Sequence, residues 1–298
     1  MSVSERKFGV LQTGETVKIF HLENKSGAYA EVTDFGAILV KVCVPDKDGT
    51  LTDVVLGYDD LASYEVNGCF FGSTIGRNGN RIGGAKFSVN GKEVVLVQNE
   101  NDNNLHSGPD GFEKKLWKVA EISDDKNSVI FNRISPDGEN GFPGEFDVSV
   151  KYEFTEDNEL RIHYQGICDE PTVANMTNHS YFNLNGDPSK PATDNILYIA
   201  ADSITPIDST FITTGEMMAV TGTQFDFNTP TTIAPRVSQF ENEQLKFGNG
   251  FDHNWVLRTK GDISKLAAKL TSPATGISLE VYTNEPGLQV YTGNFLNG

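Results

Sequence analysis

Three stretches of the chain gather side chains able to handle protons and hydroxyl groups. The first, Ala174-Asn175-Met176-Thr177-Asn178-His179-Ser180-Tyr181-Phe182-Asn183-Leu184, sets one histidine among amides, hydroxyls and two aromatic rings, with no Lys, Arg, Asp or Glu in the run. An imidazole among hydrogen-bonding groups can have its tautomer and ring orientation fixed, as a general acid or base requires. Aromatic faces beside side-chain amides also suit a ligand with apolar C–H faces and a polar hydroxyl rim. The same run equally suits a buried histidine satisfied by its neighbours.

The second stretch is Ile75-Gly76-Arg77-Asn78-Gly79-Asn80-Arg81-Ile82-Gly83, inside a segment, 72–84, with five glycines in thirteen residues. Its glycines open backbone conformations closed to other residues, so Asn80 and Arg81 are expected at an irregular strand edge. Arg81 there would stabilise negative charge on a ligand oxygen or sit in a structural ion pair. Arg77 and Arg81 are also placed to meet a phosphate, although neither the GxxxxGK[ST] nor the GxGxxG spacing is present. The third stretch, Gly250-Phe251-Asp252-His253-Asn254, puts a carboxylate next to an aromatic ring, and Asp252 can accept from two vicinal hydroxyls, one on each oxygen. Of five histidines, His21 and His163 read as surface strand positions, whereas His106, His179 and His253 lie in polar stretches. No histidine pair has close ligand spacing, and Cys43, Cys69 and Cys168 form neither a CxxC zinc pattern nor a disulfide framework. Cys43 reads as a small core residue.

The elements that must position these residues are strands. Period-two alternation recurs over 17–22, 37–44, 117–122, 128–134, 146–154 and 160–167, while helical periodicity is confined to 59–66. Phe87–Leu96 with its central Asn90-Gly91 predicts a hairpin on a type I′ turn. A late hairpin is expected from 266–270 and 277–282, and a last strand at 288–291. The segment 230–254 reads as polar loop. No repeat or composition break marks a linker, so the expectation is one all-β domain over 1–298, a large antiparallel β-sandwich.

Composition bounds the partners. Across 298 residues, 24 Lys+Arg against 41 Asp+Glu give a net charge of −17 and a pI near 4.6. Such a surface repels phosphate backbones and anionic lipid, so neither nucleic acid nor a membrane is expected as a partner. The polar first nine residues carry no secretory signal, and a cytoplasmic location is expected.

Five motifs then occur in order: Gly76-Arg77-Asn78-Gly79-Asn80-Arg81-Ile82, Asn104-Leu105-His106-Ser107-Gly108, Thr177 to Leu184, Gly250-Phe251-Asp252-His253, and Tyr291-Thr292-Gly293-Asn294-Phe295. Together they resemble the aldose 1-epimerase (galactose mutarotase) family, from about Gly9 to the last residue. The resemblance implies a β-supersandwich, cofactor-free interconversion of the α and β anomers of free hexoses, and a small-molecule sugar as partner to a monomer or homodimer. It implies that His179 is the catalytic acid and His106 the other active-site histidine. It further implies that Asn80, Arg81, Asp252 and Gln289 contact substrate. Gly79 stands where the family usually has Ala, and Ser107 where it has Gly. The family's catalytic base is a glutamate downstream of Gly-Asn-Phe. The sequence ends three residues after Phe295, so the chain is expected to lack the family's C-terminal segment and the base is unassigned. Two rival readings stay open: a hexose-6-phosphate epimerase using Arg77 and Arg81, and a non-catalytic sugar-binding or regulatory protein.

Overall fold

The computed structural model describes residues 2–296, and these fold as two compact units. The first comprises the residues up to Val44 together with Leu51–Tyr181; the second comprises Pro45–Thr50 and the residues from Phe182 onward. Both are built from antiparallel sheets, as the alternation requires, and the fold class is all-β. No helix among the described residues is long and apolar enough to cross a membrane.

In the first unit a five-stranded sheet runs in chain order through Ser2–Val10, Thr16–Glu23, Tyr29–Thr33, Ile38–Pro45 and Leu51–Asp53. A four-stranded meander follows, made of Lys118–Ser123, Ser128–Ser135, Phe146–Phe154 and Leu160–Cys168. Phe146–Phe154 shows why these residues form a strand. Its even-numbered Val148, Val150, Tyr152 and Phe154 are fully buried, while the odd-numbered residues between them are more open. Phe20 of the first sheet meets Phe131 of the second edge to face at 5.5 Å, so the two sheets share one core. At that core the Tyr152 hydroxyl donates to Ala37 O at 2.8 Å and lies 3.1 Å from Thr74 Oγ1. The hairpin Lys86–Val89/Lys92–Val95 turns on Asn90 and Gly91, both with positive φ (50° and 74°), as a type I′ turn demands.

The second unit carries two four-stranded sheets. One runs Thr231–Thr232, Ile196–Ile199, Ala268–Thr271, Ser278–Val281, and the other Met218–Ala219, Ala201–Thr205, Asp252–Leu257, Gly287–Tyr291. Its core is aromatic, with Phe225 and Phe227 each in ring contact with Phe251 and Trp255, which also meet each other.

Two expectations need correction. The chain begins its first sheet with Ser2–Val10, not at residue 17. That strand lies at the sheet edge with most of residues 3–10 open to solvent, so charged side chains replace alternation there. The stretch 230–254 is not simply loop: it contains the short helices Ala234–Val237 and Glu243–Gly248 and the start of strand Asp252–Leu257. Asn242 caps the second helix, its side chain accepting from Gln244 N and Leu245 N, which is a helix start signal in an otherwise polar run.

Candidate active site

The glycine-rich segment threads through the first unit as two short strand pairs. Thr74–Ile75 pairs with Thr177–Asn178, and Arg81–Ile82 pairs with Asn104–Leu105. The first pairing places His179. Its N–H donates to Ser73 O at 2.8 Å, and its carbonyl accepts from Gly72 N at 3.2 Å. Gly72 must be glycine: φ is +65°, and a Cβ would lie 1.9 Å from Leu39 O. Asn178, next to the histidine, is a strut. Its amide donates to Gly72 O (3.0 Å) and Tyr152 Oη (3.1 Å), and its oxygen accepts from Ser180 N and Oγ.

The second pairing places His106. Its N–H donates to Asn80 O at 3.0 Å, and Asn80 N–H donates back to His106 Nδ1 at 3.0 Å. An Nδ1 that accepts carries no proton, so the neutral ring holds its hydrogen on Nε2. Asn80, His106 and Ser107 all sit at positive φ (60°, 51° and 70°), a cluster of left-handed non-glycine residues of the kind found at functional sites. The two imidazoles stand edge to face, centroids 5.1 Å apart. Phe70 lies 4.8 Å from His106 and 5.7 Å from His179, and Tyr181 lies 5.1 Å from His179. Burial holds the His106 imidazolium well below the ordinary range, helped by His179 and the Arg81 cation. Burial lowers His179 as well, against its own backbone hydrogen bond. Both rings are therefore neutral near pH 7.

The two arginines diverge. Arg81 donates from Nε (2.6 Å) and Nη2 (2.5 Å) to the two oxygens of Glu100, a bidentate pair that fixes the guanidinium plane. Arg77 is turned inward, 1% exposed, and donates to Ser135 Oγ, Thr172 Oγ1 and the carbonyls of Ser135, Pro136, Pro143 and Gly144. Phe142 and Phe146 flank it with ring centroids at 5.9 and 5.5 Å. Arg77 is thus a structural cation, and the expected pair of phosphate-facing arginines does not exist. Beside the His106 loop, Glu113 is buried with Oε2 unpartnered among the described residues, and burial pushes its carboxyl up to about 7.

The second unit carries the remaining sequence-derived positions. Asp252 and Asn254 share the open face of strand Asp252–Leu257, while His253, Trp255 and Leu257 point into the core. Gln289, directly across from Asn254, donates Nε2 to Asp252 Oδ1 at 2.7 Å. His253 Nδ1 accepts from Asp252 N at 3.1 Å, and burial pushes this ring down to about 4. Asn294 of the Gly-Asn-Phe motif is a clamp, donating to Gly248 O and Phe251 O just before Asp252.

The structure thus groups His106, His179, Asn80 and Arg81 on the first unit, and Asp252 with Gln289 on the second. Sequence reasoning did not single out Phe70 or Glu100. Glu100 sits in a polar loop that gives no signal, and Phe70 is marked only by a Phe-Phe pair ahead of a required glycine.

Comparison with known proteins gives the family of the chain. The aldose 1-epimerase family model matches residues 18–298. Over 100% of its length the chain is 42% identical to galactose mutarotase of Homo sapiens, of which it covers 84%. Over 96% of its length it is 37% identical to aldose 1-epimerase of Escherichia coli, of which it covers 81%. The crystal structure of galactose 1-epimerase from Lactobacillus acidophilus matches with a TM-score of 0.88 at 29% identity, covering 99% of this chain and 84% of that one. The chain belongs to the aldose 1-epimerase family.

Proposed function

We propose that this protein interconverts the α and β anomers of free hexoses such as galactose by acid–base ring opening and reclosure. The observation that carries the reading is the pair of neutral imidazoles edge to face 5.1 Å apart, the His106 tautomer fixed by the Asn80 N–H, on a family scaffold matched over residues 18–298. Ring opening breaks the bond between C1 and the ring oxygen. A proton leaves the anomeric hydroxyl for a base, a proton arrives at the ring oxygen, and C1 becomes a carbonyl. Rotation about C1–C2 and closure on the other face run both transfers backwards. Neither metal nor nucleotide is required by this chemistry.

His179 is assigned to protonate the ring oxygen. The resting ring is neutral, so it first takes a proton from solvent. The burial-lowered imidazolium so formed is a stronger acid than a solvated one, and giving the proton to the ring oxygen returns the ring to its favoured neutral state. His106, with its hydrogen on Nε2, donates to an oxygen on which charge develops, and Arg81, held flat by Glu100, adds positive charge. Asp252 and Gln289 on the second unit bind hydroxyls, the carboxylate accepting and the amide able to do either.

Polarimetry on freshly dissolved α-galactose tests the reading. The expected result is relaxation faster than the spontaneous rate, and a loss of about 10²–10⁴-fold in His179→Asn. An unchanged rate in that variant would remove His179 from the acid role. Galactose binding without acceleration by the wild type would favour a sugar-binding protein instead.

A further inference from the structure

We propose that Phe70 is the positioning residue of the histidine pair: its ring walls off one flank of both imidazoles from water, and a locked loop in a left-handed backbone conformation keeps it there. The inference rests on the acid–base reading above and adds the group that sets the state in which the two rings wait.

Geometry makes the case first. Phe70 is partly buried and touches both histidines, 4.8 Å from His106 at 67° and 5.7 Å from His179 at 35°. With the histidines 5.1 Å apart, the three rings close a triangle. The backbone at Phe70 has φ +59°, a genuine outlier for a bulky side chain. Such a conformation persists only where surroundings over-determine it.

The surroundings do so. Asn67, 1% exposed, donates Nδ2 to Phe71 O (3.2 Å) and Ser73 Oγ (3.1 Å) and accepts from Phe71 N (2.8 Å). Phe70 N–H donates to Asn67 O, and its carbonyl accepts from Ser73 N, each at 3.1 Å. Lys114 Nζ reaches in from another segment to the carbonyls of Glu65 and Val66, at 2.7 Å each. Ser73, at the far end of this loop, is the residue whose carbonyl accepts from His179 N–H. One loop therefore fixes the ring and the backbone of the histidine it covers.

An aromatic flank supplies neither a hydrogen bond nor a countercharge in the ring plane. It removes water from the imidazoles and penalises their charged forms, and burial is the first cause of the lowered pKa of both. The other groups facing them are few. His106 meets the Asn80 N–H, His179 and Arg81, whose charge is paired with Glu100; His179 meets His106 and the Tyr181 ring. No carboxylate hydrogen-bonds to either imidazole among the described residues.

The test uses Phe70→Gly, which accepts φ +59° without strain and should fold, alongside Phe70→Tyr, which keeps the ring. Proton NMR titration of the imidazole Cε1–H signals needs no substrate. In Phe70→Gly the His106 and His179 midpoints should rise toward ordinary values while that of His253 stays put, and Phe70→Tyr should match the wild type. In mutarotation assays Phe70→Gly should lose about 10–100-fold in kcat, with the alkaline limb set by the acid His179 moved to higher pH and KM changed less. A folded Phe70→Gly with unmoved midpoints and an unmoved pH profile would make Phe70 plain filling and overturn the proposal. Wild-type protein that fails to accelerate mutarotation would defeat the functional reading, while the titration would still decide the role of Phe70.

Discussion

His106 and His253 make the same local bond for different ends. In each, Nδ1 accepts a backbone N–H, from Asn80 at 3.0 Å and from Asp252 at 3.1 Å, which leaves the proton on Nε2. They differ in where that second nitrogen goes. His106 is only partly buried, beside a second imidazole and an arginine. His253 is fully buried against Phe225, and its Nε2 has no partner among the described residues. The same lock thus presents a donor in one place and braces the strand start that carries Asp252 in the other. A fixed tautomer is a structural device, and chemistry follows only when the free nitrogen faces somewhere useful.

The comparison breaks most visibly at His106. His106→Gln should cost about 10²–10³-fold in mutarotation rate with little change in melting temperature, read by polarimetry and calorimetry. If melting falls as steeply as activity, the ring is a brace like His253 and the contrast fails.

His253 should speak through stability. Its folded-state pKa, about 4, lies below the ordinary 6.5 of an unfolded chain. Its contribution is therefore present above pH 6.5 and lost as pH falls toward 4, about 3 kcal/mol in all. Glu113 runs the opposite way. Its pKa of about 7 lies above the ordinary 4.5, so its contribution is present below pH 4.5 and lost as pH rises through 7. Urea titrations from pH 4 to 8 should show Glu113→Gln gaining on the wild type above pH 5, by about 1–3 kcal/mol. The acid-side loss should survive in that variant, because it belongs to His253. A flat profile in Glu113→Gln would deny the buried-histidine effect.

The smallest effect is expected at the open strand face. Gln289→Ala removes the amide that steadies Asp252 and should raise KM for galactose about fivefold, close to 1 kcal/mol, with kcat nearly unchanged. A fall in kcat with KM intact would place Gln289 in the proton-transfer step instead.

Most strands were legible because one face of each is apolar. Phe146–Phe154 alternates without exception, and the Asn90-Gly91 turn announced its hairpin. Ser2–Val10 escaped because an edge strand needs no apolar face. Asp252–Leu257 escaped the reading because a histidine occupies a core position, inverting the usual polarity of the alternation. At the site, residue types and order pointed to His106, His179, Arg81 and Asp252. Arg77 misled because the carbonyls that satisfy it come from 135–136 and 143–144, a proximity created only by folding. Phe70 was invisible for a related reason: its importance lies in a backbone angle, which no side-chain pattern reports.

Tyr152 stands in the middle of the four-stranded meander, with its hydroxyl bonded to Ala37 O and to the Asn178 amide beside His179. The tie that registers one sheet on the other is thus the tie that registers the His179 segment. Heat is therefore expected to loosen the His179 segment only together with the sheets of the first unit, so thermal loss of mutarotation should track melting of that unit and not an early local fraying.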